Sequence, residues 1–287
     1  YNLKVGSGNH GIQTGEMLKK LEPVFEKESP DFVLVYGDTN STLAGALVAS
    51  KMNIPVAHIE AGLRSFNRNM PEEVNRVLTD HISTILFCPS SISKLNLKNE
   101  GIEKNVFVVG DVMYDIFKKF EHKIDSKNLY GNYCLLTIHR AENTNEISLS
   151  KRFEQISNID KKILFPIHPR TRKIISDHSI KIPKNIKIIE PVGWFDMISL
   201  IKNSHFVITD SGGLQKESLW CKKICITLRN ETEWTETLDQ KVNVLIKENS
   251  DFSTNFHNNL DFSNPYGDGN SSNKIIKFLN NHIKEMK

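Results

Sequence analysis

Residues 32–62 read FVLVYGDTNSTLAGALVASKMNIPVAHIEAG. Two apolar, β-branched runs, Phe32 to Tyr36 and Ile54 to Ile59, flank a small-residue segment of helical length. Neither run alternates apolar with polar residues. A strand apolar at nearly every position is one covered on both faces, as in a parallel sheet, so the stretch reads as a βαβ unit. Farther along the chain, Thr84 to Cys88 and Val106 to Val109 continue the alternation. It stops in the charged break FKKFEHKIDSKNLYGN at 117–132 and then resumes. Tyr133 to Ile138, Lys162 to Ile167, Ile186 to Ile189, Phe206 to Thr209, Ile224 to Thr227 and Val242 to Ile246 form the second series. The expectation is an α/β protein of two doubly wound domains, 1–122 and 123–287. The second would carry the Asn-, Ser- and Gly-rich tail from Asn255 to Ser272. Tandem sheets of this kind bind ligands outside the carboxyl ends of their strands, here expected in a shared cleft.

Composition narrows the function. With 287 residues, 39% hydrophobic and 25% charged, the chain has ordinary globular usage, which excludes disordered and disulfide-scaffold classes. Thirty-seven basic against 34 acidic residues leave +3, and no long basic block marks a nucleic-acid partner. No apolar run approaches the roughly 18 residues of a membrane helix, and no signal-peptide pattern opens the chain. Cys88, Cys134, Cys221 and Cys225 each lie in or beside apolar runs, so buried thiols in a reducing, cytoplasmic setting are expected. Cys221 and Cys225 have no second Cys/His pair nearby, and no metal site is expected.

Gly6, Gly8 and Gly11 spell GSGNHG, a literal GxGxxG. The dinucleotide fingerprint needs a buried strand before its first glycine, and YNLKV is too short and polar to supply one, so a nicotinamide site is set aside. The acids carry more. Asp38 follows the strand FVLVY at a sheet edge, where it serves either as an ordinary helix cap or as a reactive carboxylate. Glu60 repeats the arrangement in IPVAHIEAG. Glu72 and Glu73 open the helix PEEVNRVLTDHIS behind Pro71, and capping and dipole preference accounts for Glu73.

The second series supplies complementary groups. His139 and Arg140, with Glu142, follow the strand CLLTI, and His168 and Arg170 follow KILFPI. Two His-Arg pairs at strand ends point to anion or sugar recognition. In VITDSGGLQKESLW a strand runs through Asp210, Ser211, Gly212 and Gly213 into a helix. Small residues there let backbone N–H groups and the helix dipole meet a phosphate closely. No GKS/T follows, which excludes a P-loop triphosphatase. Glu217, one turn on, is either a ribose acceptor or a solvated helix acid.

The ordered series GDTNSTLAGAL, HIEAGLRS, MPEEVNR, TIHRAEN, IHPRT, TDSGGLQKE, RNETEW and NPYGDG resembles the non-hydrolysing UDP-N-acetylglucosamine 2-epimerases and their relatives acting on other UDP-2-acetamido sugars. The match spans nearly the whole chain. It implies two Rossmann-like domains of the glycosyltransferase-B type, with UDP held by the second. Asp38, Glu60 and Glu72 would form the acid/base set, with His139 close to the same chemistry and Arg76 helping to hold the substrate. Ser211, Gly212, Gly213 and Glu217, with Arg140 and His168, would hold UDP. The implied reaction eliminates UDP to a 2-acetamidoglucal and re-adds it with inverted C2, for surface-polysaccharide precursors, without metal or other cofactor, in a homodimer. The family opens with a strand and a GTRPE- or GARPQ-like loop that nothing here matches, so the first domain is expected to be incomplete. VGDVMYD, HRAEN and TEWTE are closer to the branch acting on UDP-2,3-diacetamido-2,3-dideoxyglucuronate. A UDP-binding fragment without turnover and a transferase of the same fold are the competing readings.

Overall fold

The computed structural model describes residues 1–125, 127–248, 250, 252, 256 and 260–286, so Ser126 of the charged break and most of the tail's first residues, Asn255 included, lie outside it. The chain divides into two compact units, Tyr1–Lys119 with Pro265–Lys287, and Phe120–Asn264. All the strand runs read from the sequence are strands.

In the first unit, β1 (Val33–Tyr36), β2 (Val56–Ile59), β3 (Ile85–Cys88) and β4 (Val106–Val108) pair in parallel in sequential order. No strand precedes α1 (His10–Glu28) among the described residues, so GSGNHG lacks the context of a dinucleotide loop. The helix α2 (Asn40–Lys51) owes its close approach to β1 to Ala44, Gly45, Ala46 and Ala49; a Cβ on Gly45 would lie 3.2 Å from Val35. Then α3 (Pro71–Ile82), with Pro71 in its first turn, α4 (Ser91–Asn99) and α5 (Val112–Phe120) complete the alternation.

The second unit holds β5 (Cys134–Thr137), α6 (Glu146–Ser157), β6 (Ile163–Pro166), α7 (Pro169–Asp177), β7 (Ile186–Ile189), α8 (Trp194–Asn203), β8 (Val207–Thr209), α9 (Gly212–Trp220), β9 (Cys225–Thr227), α10 (Thr235–Asp239) and β10 (Asn243–Leu245). Its all-parallel sheet runs β7-β6-β5-β8-β9-β10, the 3-2-1-4-5-6 order of dinucleotide-type folds. The winding reverses between β5 and β8. Leu136, Phe165, Ile208 and Ile226 fill its core, with Phe153 from α6.

The domain limits need correction. The boundary expected at residue 122 falls at Lys119/Phe120, and the chain from Pro265 on, expected in the second domain, belongs to the first unit. The cause is apolar burial. Ile275 and Leu279 of α11 (Ser271–Met286) enter the cluster of Ala57, Ile59, Ile85 and Phe87, and Phe278 stacks on Phe107 with centroids 4.3 Å apart. Asp115 fixes the register, accepting from Ser271 N–H (2.9 Å) and from Ser272 N–H and hydroxyl. Among the described residues no helix is long and apolar enough to cross a membrane.

Candidate active site

In the first unit the carboxyl ends of β1 and β2 lie side by side, Tyr36 opposite Ile59. Asp38 follows one and Glu60 the other. Thr39, not Asp38, caps α2: its hydroxyl accepts from Thr42 N–H and completes a capping box. Asp38 is thereby free for another role. Its Oδ2 accepts from Arg76 Nη2 (2.5 Å) and Nε (3.2 Å), while Oδ1 has no hydrogen-bond partner among the described residues. Asn75 donates to the Asp38 carbonyl and braces the turn.

Arg76 is buried, and its Nη1 donates to Glu73 (2.7 Å), so its charge is met by two carboxylates of the chain itself. Glu73 is more than a helix-end acid. It is buried, and it also accepts from Ser65 N–H and hydroxyl and from Phe66 N–H, pinning the loop after β2 to α3. Glu72, its neighbour, is half-buried and has no hydrogen-bond or ion-pair partner among the described residues. Glu60 has a left-handed backbone, φ +72°, which costs a non-glycine residue about 1–2 kcal/mol. Its N–H and that of Ala61 both donate to Phe87 C=O, holding the turn. Gly62 ends that turn, where a Cβ would stand 2.3 Å from Ser93 C=O.

In the second unit the switch point between β5 and β8 collects the other groups. Thr137, Thr209 and Thr227 end their strands in register, and the Thr137 and Thr209 hydroxyls bond at 2.6 Å. Buried Asp210 accepts from the N–H groups of His139 and Arg140 and from Asn143, so one carboxylate shapes the loop after β5. Ser211 N–H donates to Thr209, but its hydroxyl has no partner among the described residues and does not cap α9. The N-terminus of α9 is thus without a side-chain cap and carries exposed Gly213, whose Cβ position touches only Ser211 Oγ at 3.9 Å. Gly212 is different. A Cβ there would lie 2.6 Å from Glu233 Oε1, a carboxylate paired with Arg229 at 2.9 Å.

His139 is part-exposed, with its ring centroid 6.0 Å from that of His168. Burial, with His168, Arg140 and Arg170, holds His139 below the usual histidine value against the pull of Asp210. His168 caps α7, its Nδ1 accepting from Arg170 N–H (3.2 Å). The Arg140 guanidinium lies 3.9 Å from Glu233. Glu217 is buried rather than solvated, and Trp194 donates to its Oε1 at 2.8 Å.

Sequence reasoning passed over four participants: the strand-end threonines, Asp210 as a loop organiser, Glu73 as a buried hub and Trp194. The first had a signal, since CLLT, VIT and CIT all end in threonine.

The family model for UDP-N-acetylglucosamine 2-epimerase matches residues 1–280. A UDP-N-acetylglucosamine 2-epimerase homolog of Methanococcus maripaludis is 50% identical over 306 residues, covering 98% of this chain and 84% of the relative. A UDP-2,3-diacetamido-2,3-dideoxy-D-glucuronate 2-epimerase of Pseudomonas aeruginosa is 44% identical over 295 residues, covering 97% of this chain and 83% of the relative. The crystal structure of the Methanocaldococcus jannaschii UDP-GlcNAc 2-epimerase in complex with UDP-GlcNAc and UDP superposes with TM-score 0.87 at 46% identity, over 98% of this chain and 84% of that one.

Proposed function

The chain belongs to the UDP-N-acetylglucosamine 2-epimerase family, and from that premise we propose that it interconverts UDP-N-acetylglucosamine and UDP-N-acetylmannosamine without hydrolysing them, supplying surface-polysaccharide precursors. The observation that carries the reading is the pair of acids at the adjacent ends of β1 and β2, Asp38 with one oxygen clamped and one open among the described residues and Glu60 in a strained turn; Glu72, in the first turn of α3 and without a hydrogen-bond or ion-pair partner among the described residues, completes the set. A UDP-sugar transferase has no use for such a set on the C2 chemistry.

The chemistry orders the steps. C2–H is a poor acid until the C1–O bond stretches, so leaving-group stabilisation comes first. UDP sits at the β5/β8 switch point, its diphosphate on the α9 N-terminus at Ser211, Gly212 and Gly213, with His139, Arg140 and His168 beside it. Its ribose hydroxyls bond Glu217, which Trp194 orients. One first-unit carboxylate takes the C2 proton, the C–H pair becomes the C1=C2 bond, and the C1–O pair leaves with UDP. In the return, UDP oxygen rebonds C1 while a proton reaches C2 from the opposite face. Arg76, which helps to hold the substrate, also sets Asp38. The route uses no metal and no nicotinamide.

The P. aeruginosa relative supports a second substrate, UDP-2,3-diacetamido-2,3-dideoxy-D-glucuronate. The four free, buried cysteines support a cytoplasmic enzyme, and family analogy a homodimer, checked by light scattering. Proton NMR in D2O tests the function: deuterium at C2 together with the manno product is the expected result. Free N-acetylmannosamine would replace the reading with a hydrolysing epimerase. Inertness toward both UDP-sugars would leave a UDP-binding protein.

A further inference from the structure

His58 stands third in β2, in the otherwise apolar run VAHI, and is fully buried. Both ring nitrogens are engaged. Nε2 lies 2.8 Å from Gly37 C=O and Nδ1 2.7 Å from Asp80 Oδ1. A carbonyl only accepts, so Nε2 bears a proton. Asp80 Oδ2 already accepts from Gly62 N–H (3.1 Å) and Arg64 Nη1 (2.6 Å), and Arg64 spends its remaining fork on Glu100 at 2.7 Å. Asp80 is therefore an ionised acceptor, and Nδ1 bears a proton as well.

These contacts land beside the reactive acids. Gly37 immediately precedes Asp38, and its own N–H donates to Ile59 C=O, so that both backbone polar groups of this one residue are fastened to β2. Gly62 is two residues beyond Glu60, and Asp80 holds its N–H. One imidazole thus ties the chain before Asp38 to the carboxylate that ties the chain after Glu60. Resting on the acid/base reading above, we propose that His58 is a positioning residue for the epimerisation, a two-donor bridge from Gly37 to Asp80 that fixes Asp38 and Glu60 relative to each other.

Electrostatics agrees with the geometry. Burial opposes a charge on His58, but the hydrogen bond and charge of Asp80, the Gly37 carbonyl and Glu60 outweigh it and raise its pKa. Burial likewise opposes the Asp80 charge, and His58 and Arg64 overcome it.

The test uses the full chain with His58→Gln and His58→Asn, each retaining one amide donor but not the bridge. Turnover is expected to fall about 100-fold, the scale on which displacing a catalytic group by about 1 Å acts. UDP affinity should hold, and the share of turnovers releasing free 2-acetamidoglucal should rise, because re-addition needs a proton at a fixed face. General loosening of the fold would lower turnover without moving that share, and such a result overturns the proposal. If both variants match the wild type while Asp38→Asn and Glu60→Gln are inert, the positioning role falls and the catalytic reading stands. If the acid variants also turn over normally, both fall. Nitrogen-15 NMR of histidine-labelled unsubstituted protein gives a measure independent of the variants. One imidazolium, protonated on both nitrogens, should persist to higher pH than the ordinary histidines, which lose their charge around neutrality. Finding that no ring stays doubly protonated beyond the ordinary histidines overturns the bridge.

Discussion

Glu72 and Glu73 share the first turn of α3, but successive helical side chains are turned by about 100°, so only one faces the loop after β2. That rotation gives Glu73 four donors and leaves Glu72 open. The family resemblance gave a role to Glu72, whereas spacing alone put both acids at the helix start, because the donors to Glu73 come from a loop whose path the spacing does not reveal. The separation predicts different losses. Asp38→Asn and Glu72→Gln should each lower kcat by about 10²–10⁴-fold, the range of general acid/base catalysis, with calorimetric UDP affinity unchanged. Glu73→Gln should instead lower the melting temperature. The paired glycines divide similarly. Gly213→Val should abolish UDP binding and leave the ligand-free melting temperature alone, since its Cβ position is open. Gly212→Ala should destabilise the protein by about 1–3 kcal/mol by pressing on Glu233.

At the scale of elements, strand identity was legible throughout because parallel strands are apolar on both faces, and that signal is local. Loop placement was not. The polar residue inside VAHI was the available clue to the buried His58 and Asp80 bridge, whose ends lie 22 residues apart in the chain. The bridge has a definite pH signature. The raised His58 pKa gives stability that is complete below its ordinary 6.5 and lost as pH rises through the folded-state value. The lowered Asp80 pKa gives stability present above its ordinary 3.8 and lost as pH falls through its folded-state value. Denaturant melts should therefore show a stability contribution largest between 3.8 and 6.5, with the alkaline decline absent in His58→Gln. At the other sheet, His139 starts below 6.5 in the protein alone, and a diphosphate bound where we propose it would raise that pKa. Between those values UDP binding takes up a proton and tightens as pH falls. Calorimetry in buffers of different ionisation enthalpy should detect that proton, and His139→Asn should lose it.

For the whole molecule, the alternation of strands and helices revealed two α/β units, while the return of α11 was hidden. Its amphipathic pattern, Ile275, Phe278, Leu279, is plain, but nothing local states which sheet it covers. Deleting the chain from Pro265 should expose Ile59 and Phe87, speed amide exchange across β2 and β3, and leave UDP binding by the second unit intact. If exchange rose instead in β5 and β8, the assignment of α11 to the first unit would be wrong.

That return also sets an order of assembly. Domains commonly fold in the order in which they leave the ribosome, yet here the first unit needs a helix that follows the whole of the second unit. The second unit is fully synthesised at Asn264, before α11 emerges. The unit proposed to seat the nucleotide can therefore be finished while the first unit still waits for α11.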